Sequence, residues 1–255
     1  MRYAVLRKVV QYAVFAGIFI VPVLNLMEIY FIRGSFISLD IGGLAIADPA
    51  MFFQTVFTGN LAAPLFASVV IPVIMALFFG RIWCSFFCPY TTVMELLEKI
   101  PPVRQALRRG KPRQNSKRAR AAIFLGLLFI TGIAGIPLLN LISPPAVLSV
   151  QAILIIKKTP TVEMLFIILA VGLEFLSLRF ICRYICPTGT CLSLFITPRT
   201  LSPIHAGECL NCGNCAKICP MGVDPVSDLP SPFCHNCGEC IDICRDKRKP
   251  LKWNG

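Results

Sequence analysis

The spacing of eight cysteines towards the C-terminal end constrains this chain more than any other feature. Cys209, Cys212, Cys215 and Cys219 follow the pattern C-x2-C-x2-C-x3-C, and Cys234, Cys237, Cys240 and Cys244 repeat it. Pro220 follows the first run, and Arg245 stands at the same place after the second. Such short spacing lets three thiolates cap one face of a metal–sulfur cube while neighbouring backbone N–H groups point at the sulfides. A zinc ribbon or a disulfide framework would also use cysteines. Two tetrads at identical spacing disfavour both.

The runs match the bacterial two-cluster ferredoxin pattern, in which the fourth Cys of each run ligates the other cluster. That match implies one [4Fe–4S] cluster on Cys209, Cys212, Cys215 and Cys244. The other would take Cys234, Cys237, Cys240 and Cys219. Apolar runs stop after Thr200, so residues 201–255 are expected to form a small ferredoxin-like α+β module on the cytoplasmic side.

The rest of the chain reads differently. Hydrophobic residues make up 56% and charged residues only 15%, against about 25% charged in ordinary soluble domains. Four apolar stretches approach the length of about 20 residues that a bilayer demands: Val9–Phe31, Leu61–Gly80, Ala121–Ser143 and Met164–Phe180. The fold class expected is therefore a membrane α-helical protein. Residues 1–200 would supply four transmembrane helices as two parallel two-helix repeats. Two shorter runs, Ile41–Phe57 and Ala146–Ile156, read as interfacial or re-entrant pieces. The N-terminal run reads as a retained anchor, since no small-x-small cleavage site follows it.

The formal charge of +12 has a topological explanation. With both termini cytoplasmic, 22 of the 25 Lys and Arg fall on one side, ten of them between Arg81 and Arg120. Positive-inside bias accounts for that distribution without a nucleic-acid partner. A multi-pass protein of a bacterial-type inner membrane is the expectation, in contact with lipid.

Each half of the apolar region closes on a related string, Arg81-Ile-Trp-Cys84-Ser-Phe-Phe-Cys88-Pro89 and Arg179-Phe-Ile-Cys182-Arg-Tyr-Ile-Cys186-Pro187. Both read R-x-x-C-x-x-x-C-P, with a Thr four residues after the second Cys (Thr92 and Thr190). The i, i+4 spacing sets both sulfurs on one helical face. Pro disfavours helix at the residue before it, so each helix is expected to break at Cys88 and Cys186. Cys84, Cys88, Cys182 and Cys186 are candidates for a third metal or iron–sulfur centre, for two redox-active dithiols, or for buried free thiols. Cys191 is left over, and a buried free thiol suits it.

Other chemistries lack their residues. The two histidines, His205 and His235, lie outside the apolar stretches, so bis-His haem is not expected. No C-x-x-C-H, phosphate-binding loop or dinucleotide-binding glycine string occurs, which disfavours c-type haem, flavin and nucleotide sites.

Together these strings resemble the NapH-type membrane subunit of quinol dehydrogenases, with NosR and CcoG relatives sharing the core. The resemblance implies electron transfer between the quinone pool and a respiratory redox partner through iron–sulfur clusters, in company with other redox subunits. Quinol oxidation needs proton acceptors, and ionisable groups inside apolar stretches are candidates by default: Glu28 and Glu174. Two alternatives stand beside this reading. One is a thiolate-based copper reductase or maturation factor; the other is a membrane anchor relaying electrons without a quinone site of its own.

Overall fold

The computed structural model describes residues 2–28, 31–35, 38–59, 63–107, 117–135, 137–158, 163–175, 179–197, 200–205, 209–229, 231–244 and 251–253. The basic run Arg108–Arg113 and the Arg245 position lie outside them. A long helix α1 (Arg2–Leu26) leads into an antiparallel meander of β1 (Ile32–Ser35), β2 (Ser38–Ile41) and β3 (Leu44–Ala47). Gly34 pairs with Leu39, and Leu39 with Ile46, across this small sheet. Then come α2 (Pro49–Phe57), α3 (Ala63–Phe79), α4 (Ile82–Phe86), α5 (Pro89–Leu97) and α6 (Pro101–Leu107). The chain continues through α7 (Lys117–Ala134), α8 (Leu138–Ile142), α9 (Pro144–Ile156), α10 (Glu163–Glu174), a π-helical turn (Ile181–Ile185) and α11 (Pro187–Leu194). The C-terminal part contains β4 (Pro203–His205), α12 (Asn214–Ile218), α13 (Glu239–Asp242) and β5 (Leu251–Trp253), with β4 and β5 paired antiparallel.

The expected four transmembrane helices in two parallel repeats are not found. Among the described residues, one helix is long and apolar enough to cross a membrane, Tyr3–Leu26 within α1. At 1.5 Å per residue, the 12 residues of α10 reach about 18 Å, short of a core about 30 Å thick. The 17 residues of α3 fall short as well. The third stretch is divided between α7, whose first turn holds Lys117, Arg118 and Arg120, and the five-residue α8 that follows Pro137. Apolar composition therefore overstated helix length, because Gly and Pro break the runs.

The two shorter runs are also corrected. Ile41–Phe57 splits into β3 and α2, with Asp48 capping the helix through its side chain and Pro49 at its first turn. Ala146–Ile156 forms most of α9, which packs against α1, α5 and α10 and buries Ala146, Val147, Ser149, Gln151 and Ala152, so it is enclosed by protein rather than laid on a surface.

The repeat survives at a shorter scale. In each half a helix (α3 or α10) runs towards a residue in the left-handed region, Gly80 at φ 62° or Arg179 at φ 56°. A five-residue helical turn follows, α4 or the π-helical turn, carrying the first Cys. The second Cys is extended, Cys88 at ψ 115° and Cys186 at ψ 116°, and Pro89 or Pro187 opens the next helix. Cys219 before Pro220 takes the same conformation, ψ 115°. Steric exclusion of helix before proline thus shapes all three of these cysteines.

The C-terminal part is tied to the helices by polar contacts. The Asn236 amide donates to the carbonyls of Phe79 (2.7 Å) and Leu201 (2.6 Å), and Tyr3 donates its hydroxyl to the Asn236 carbonyl. Arg7, buried in α1, bridges Glu95 of α5 (2.9 Å) and Glu239 of α13 (2.6 Å). The ring of Tyr3 packs on Phe86 and Trp253.

Candidate metal centres

Cys84, Cys88, Cys182 and Cys186 line one pocket together with Arg81, Arg179, Tyr90, Thr188, Met221 and His235, among others. Cys88 and Cys186 are buried and Cys84 and Cys182 half-buried. The extended backbone at the second Cys of each string turns the chain so that both strings face the same space. Burial pushes the thiols up, Cys88 to about 11 and Cys186 to about 12, so at neutral pH they stay protonated until a metal displaces the proton. Among the described residues, no group of three or more His, Cys, Asp or Glu closes on a single ion. The four thiols line one space, and four thiolates are a donor set that suits an iron–sulfur cluster.

The surroundings of this quartet are cationic. Arg81, Arg120, Arg179 and Arg183 are all 2% exposed or less. Arg81 lines the pocket beside Cys84, acts on its thiol through its charge, and donates to the Phe233 carbonyl (3.3 Å). Arg179 pairs with Glu98 (3.2 Å) rather than with Glu174. Arg183 donates to the Met221 carbonyl. Arg120 donates to Thr190 (3.3 Å) and lies 5.1 Å from the centre of the Phe233 ring, and its Nε and Nη1 have no hydrogen-bond partner. Buried cations with orphaned donors call for an anion. A cluster bound by four thiolates is one, so the donor set and its environment fit the group.

The eight C-terminal cysteines separate into two pockets. Cys209, Cys212, Cys215 and Cys244 line one of them, and Cys219, Cys234, Cys237 and Cys240 the other. Local geometry is duplicated. Asn211-Cys212-Gly213 and Asn236-Cys237-Gly238 each place Asn and Gly in the left-handed region, at φ 50° and 68° and at φ 56° and 76°. Gly213 and Gly238 each start a short helix bearing the third Cys of the run. Backbone N–H groups reach the sulfurs too, Asn211 to Cys209 and Val223 to Cys219, each at 3.4 Å. Burial pushes Cys234 up to about 12.

The three sets adjoin in sequence. Cys182 and Cys219 both pack on the core of Met221, Val223 and Phe233, and His235 lines both the quartet pocket and the Cys219 pocket. Cys215 and Cys240 pack together with Leu251. At the far end Cys212 is exposed.

The two carboxylates singled out by sequence are placed very differently. Glu28 is exposed on the turn after α1, at φ 63°. Glu174 is fully buried at the end of α10, where its Oε1 accepts from the Tyr90 hydroxyl (2.9 Å) and its Oε2 has no partner. Tyr90 lines the quartet pocket. Cys191 is buried with Ala50, Met51, Phe124, Leu128 and Leu139 in an apolar core. Sequence reasoning missed Asp48, which accepts from Thr188 (2.7 Å) beside the quartet, along with Tyr90 and His235. Only the Asp-Pro pair at Asp48-Pro49 offered a signal, as a helix start.

Comparison with known proteins brings the two strings forward again. A family model described as a 4Fe-4S binding domain matches residues 61–113 and 159–198. Each matched segment holds one C-x-x-x-C-P string, and neither extends to the C-terminal tetrads. The chain is 28% identical to a methylamine utilization ferredoxin-type protein MauN of Paracoccus denitrificans, over 86% of this chain and 76% of that protein. It is 26% identical to a MauN of Methylobacillus flagellatus, over 72% of this chain and 64% of the relative. An uncharacterized protein of Methanocaldococcus jannaschii, MJ0750, is 26% identical over 62% of this chain and 66% of its own length. No solved structure matches. These likenesses support an iron–sulfur electron-transfer protein of the ferredoxin type, the coarser level of what the motifs lead one to expect.

Proposed function

We propose that the chain is an electron relay with three [4Fe–4S] sites in line. Cys84, Cys88, Cys182 and Cys186 would hold the first, Cys219, Cys234, Cys237 and Cys240 the second, and Cys209, Cys212, Cys215 and Cys244 the third. Such clusters supply one-electron transfer. The observation that carries the order is the shared packing of Cys182 and Cys219 on Met221, Val223 and Phe233, followed by that of Cys215 and Cys240 on Leu251. The chain's own residues keep the inner sites away from water by burial and leave Cys212 at the surface, where a soluble redox partner gains access.

The inner end faces a membrane-borne donor in this reading. α1 is the crossing helix, and it turns Val5, Leu6, Val9, Ile20 and Leu26 outward, an apolar face that lipid would cover. A quinol fits as donor, with Glu174 as proton acceptor: its unpartnered Oε2 and its bond to Tyr90 place a carboxylate next to the quartet. The relatives' names add methylamine utilization as a metabolic setting for the partner.

Anaerobic iron and sulfide determination on the purified full chain tests the relay. About twelve irons per chain are expected, falling to about eight in Cys84→Ser/Cys182→Ser. About eight irons in both proteins would remove the quartet site. Reduction of the clusters by a quinol analogue, slowed in Glu174→Gln, tests the donor; no reduction of the unaltered protein in membranes would remove the quinone link.

A further inference from the structure

We infer that Arg81 and Arg120 make the quartet centre the member of the relay with the highest reduction potential, so that electrons collect at its inner end. This rests on the reading that the quartet holds a cluster. Both side chains are 1% exposed, and neither has a carboxylate partner among the described residues. Arg81 lines the pocket together with Cys84, and its charge acts on that thiol. Arg120 interacts electrostatically with Cys84, Cys182 and Cys186, and also with Arg81, which repels it.

Two like charges held side by side in a dry interior are costly unless an anion lies between or beside them. Taking up one electron adds one negative charge to a cluster, and fixed cations at short range favour that reduced form. The other charges facing the quartet do not reverse this. Arg179 adds a third cation, neutralised by Glu98. Asp48 and Glu174 are the carboxyls that face it, accepting from Thr188 and the Ala50 amide and from Tyr90, and burial pushes both up towards their uncharged form. The outermost tetrad is less cationic, with Asp224 facing Cys215. In the middle tetrad Glu239 offsets Arg7 near Cys237, while Arg81 and Arg183 also act on Cys234 and Cys219, so Arg120 is the cation that sets the quartet apart.

The test is a potentiometric titration of the full anaerobic protein, with each cluster followed by its EPR signal. One of three signals is expected to be reduced at a distinctly higher potential than the other two. Arg120→Gln should move that signal alone to lower potential, and Arg120→Lys should restore most of the shift. A second variant guards against misfolding of the first. A Cβ at Gly189 would lie 2.6 Å from Arg81 Nη2, so Gly189→Ala displaces the guanidinium and should lower the same signal. An unmoved signal with iron content retained in both variants overturns the inference, as does an equal shift of all three. Absence of a third signal in the unaltered protein instead overturns the relay reading on which it rests.

Discussion

Cys182 and Cys219 pack against the same three side chains, Met221, Val223 and Phe233, although one belongs to the helical region and the other to a C-terminal tetrad. This shared core joins two sets of cysteines that the chain presents in separate motifs. It also holds the C-terminal part in register, since Arg183 and Arg81 bond the carbonyls of Met221 and Phe233.

Removing the Phe233 ring should loosen that joint. Phe233 is 6% exposed, and Phe233→Ala is expected to cost about 3–5 kcal/mol, while Phe233→Leu should cost under about 1.5 kcal/mol. Chemical denaturation of the holoprotein measures both. Electron transfer between the quartet and the Cys219 set, followed by rapid-freeze EPR, should slow in the Ala variant and stay near normal in the Leu variant.

The two C-terminal pockets predict crosswise ligation. Cys219→Ser should alter the EPR signal of the set containing Cys234, Cys237 and Cys240, whereas Cys244→Ser should alter that of Cys209, Cys212 and Cys215. Identical spectra for Cys219→Ser and Cys215→Ser would contradict the partition.

Arg7 should couple the docking of the C-terminal part to pH. Burial opposes ionisation of Glu95, but Arg7, Arg179 and Lys8 outweigh it and hold the carboxyl below its ordinary value. A depressed carboxyl contributes stability in full above its unfolded value and loses it as pH falls through the folded one. Amide exchange over residues 231–244 should therefore quicken in acid below the usual carboxylate range. Glu95→Gln, which leaves Arg7 with Glu239 as its one carboxylate partner, should cost about 2 kcal/mol at pH 7 and flatten that dependence.

Asp48 caps α2 and accepts from Thr188, two residues past Cys186. Asp48→Ala removes the cap and strands a buried hydroxyl, with a cost of about 2 kcal/mol. Asp48→Asn keeps an acceptor and should recover part of it. Thermal unfolding compares the three proteins.

Gly238 tests the contact between α1 and the second tetrad. Its φ of 76° disfavours a side chain, and a Cβ would lie 2.9 Å from the Tyr3 ring. Gly238→Ala should destabilise the fold and raise exchange at Tyr3 and Asn236, with the larger part of the loss retained in a Tyr3→Ala background because the backbone strain persists.

Much of the candidate site was legible in the sequence because its rules are local. Proline after Cys88, Cys186 and Cys219 forces extended backbone at each, and the C-x2-C-x2-C spacing builds the same Asn-Cys-Gly turn twice. Helix length was misjudged for the opposite reason. Hydrophobicity is a property of composition, and it is blind to the left-handed residue at Gly80 or Arg179 and to the prolines at 137 and 144. Such interruptions cut apolar runs into helices too short for a bilayer. The buried α9 looked like a surface piece because nothing local tells an apolar helix what will cover it.

By itself, then, the sequence determined which thiols are grouped and where the chain must break, since both follow from spacing and from steric exclusion over a few residues. Only the tertiary structure decided that two distant C-x-x-x-C-P strings share one pocket, that Arg81 and Arg120 are buried beside it with no carboxylate partner among the described residues, and that Cys182 meets Cys219. Those relations join residues far apart in the chain, and they depend on how helices pack and on which charges burial leaves without partners.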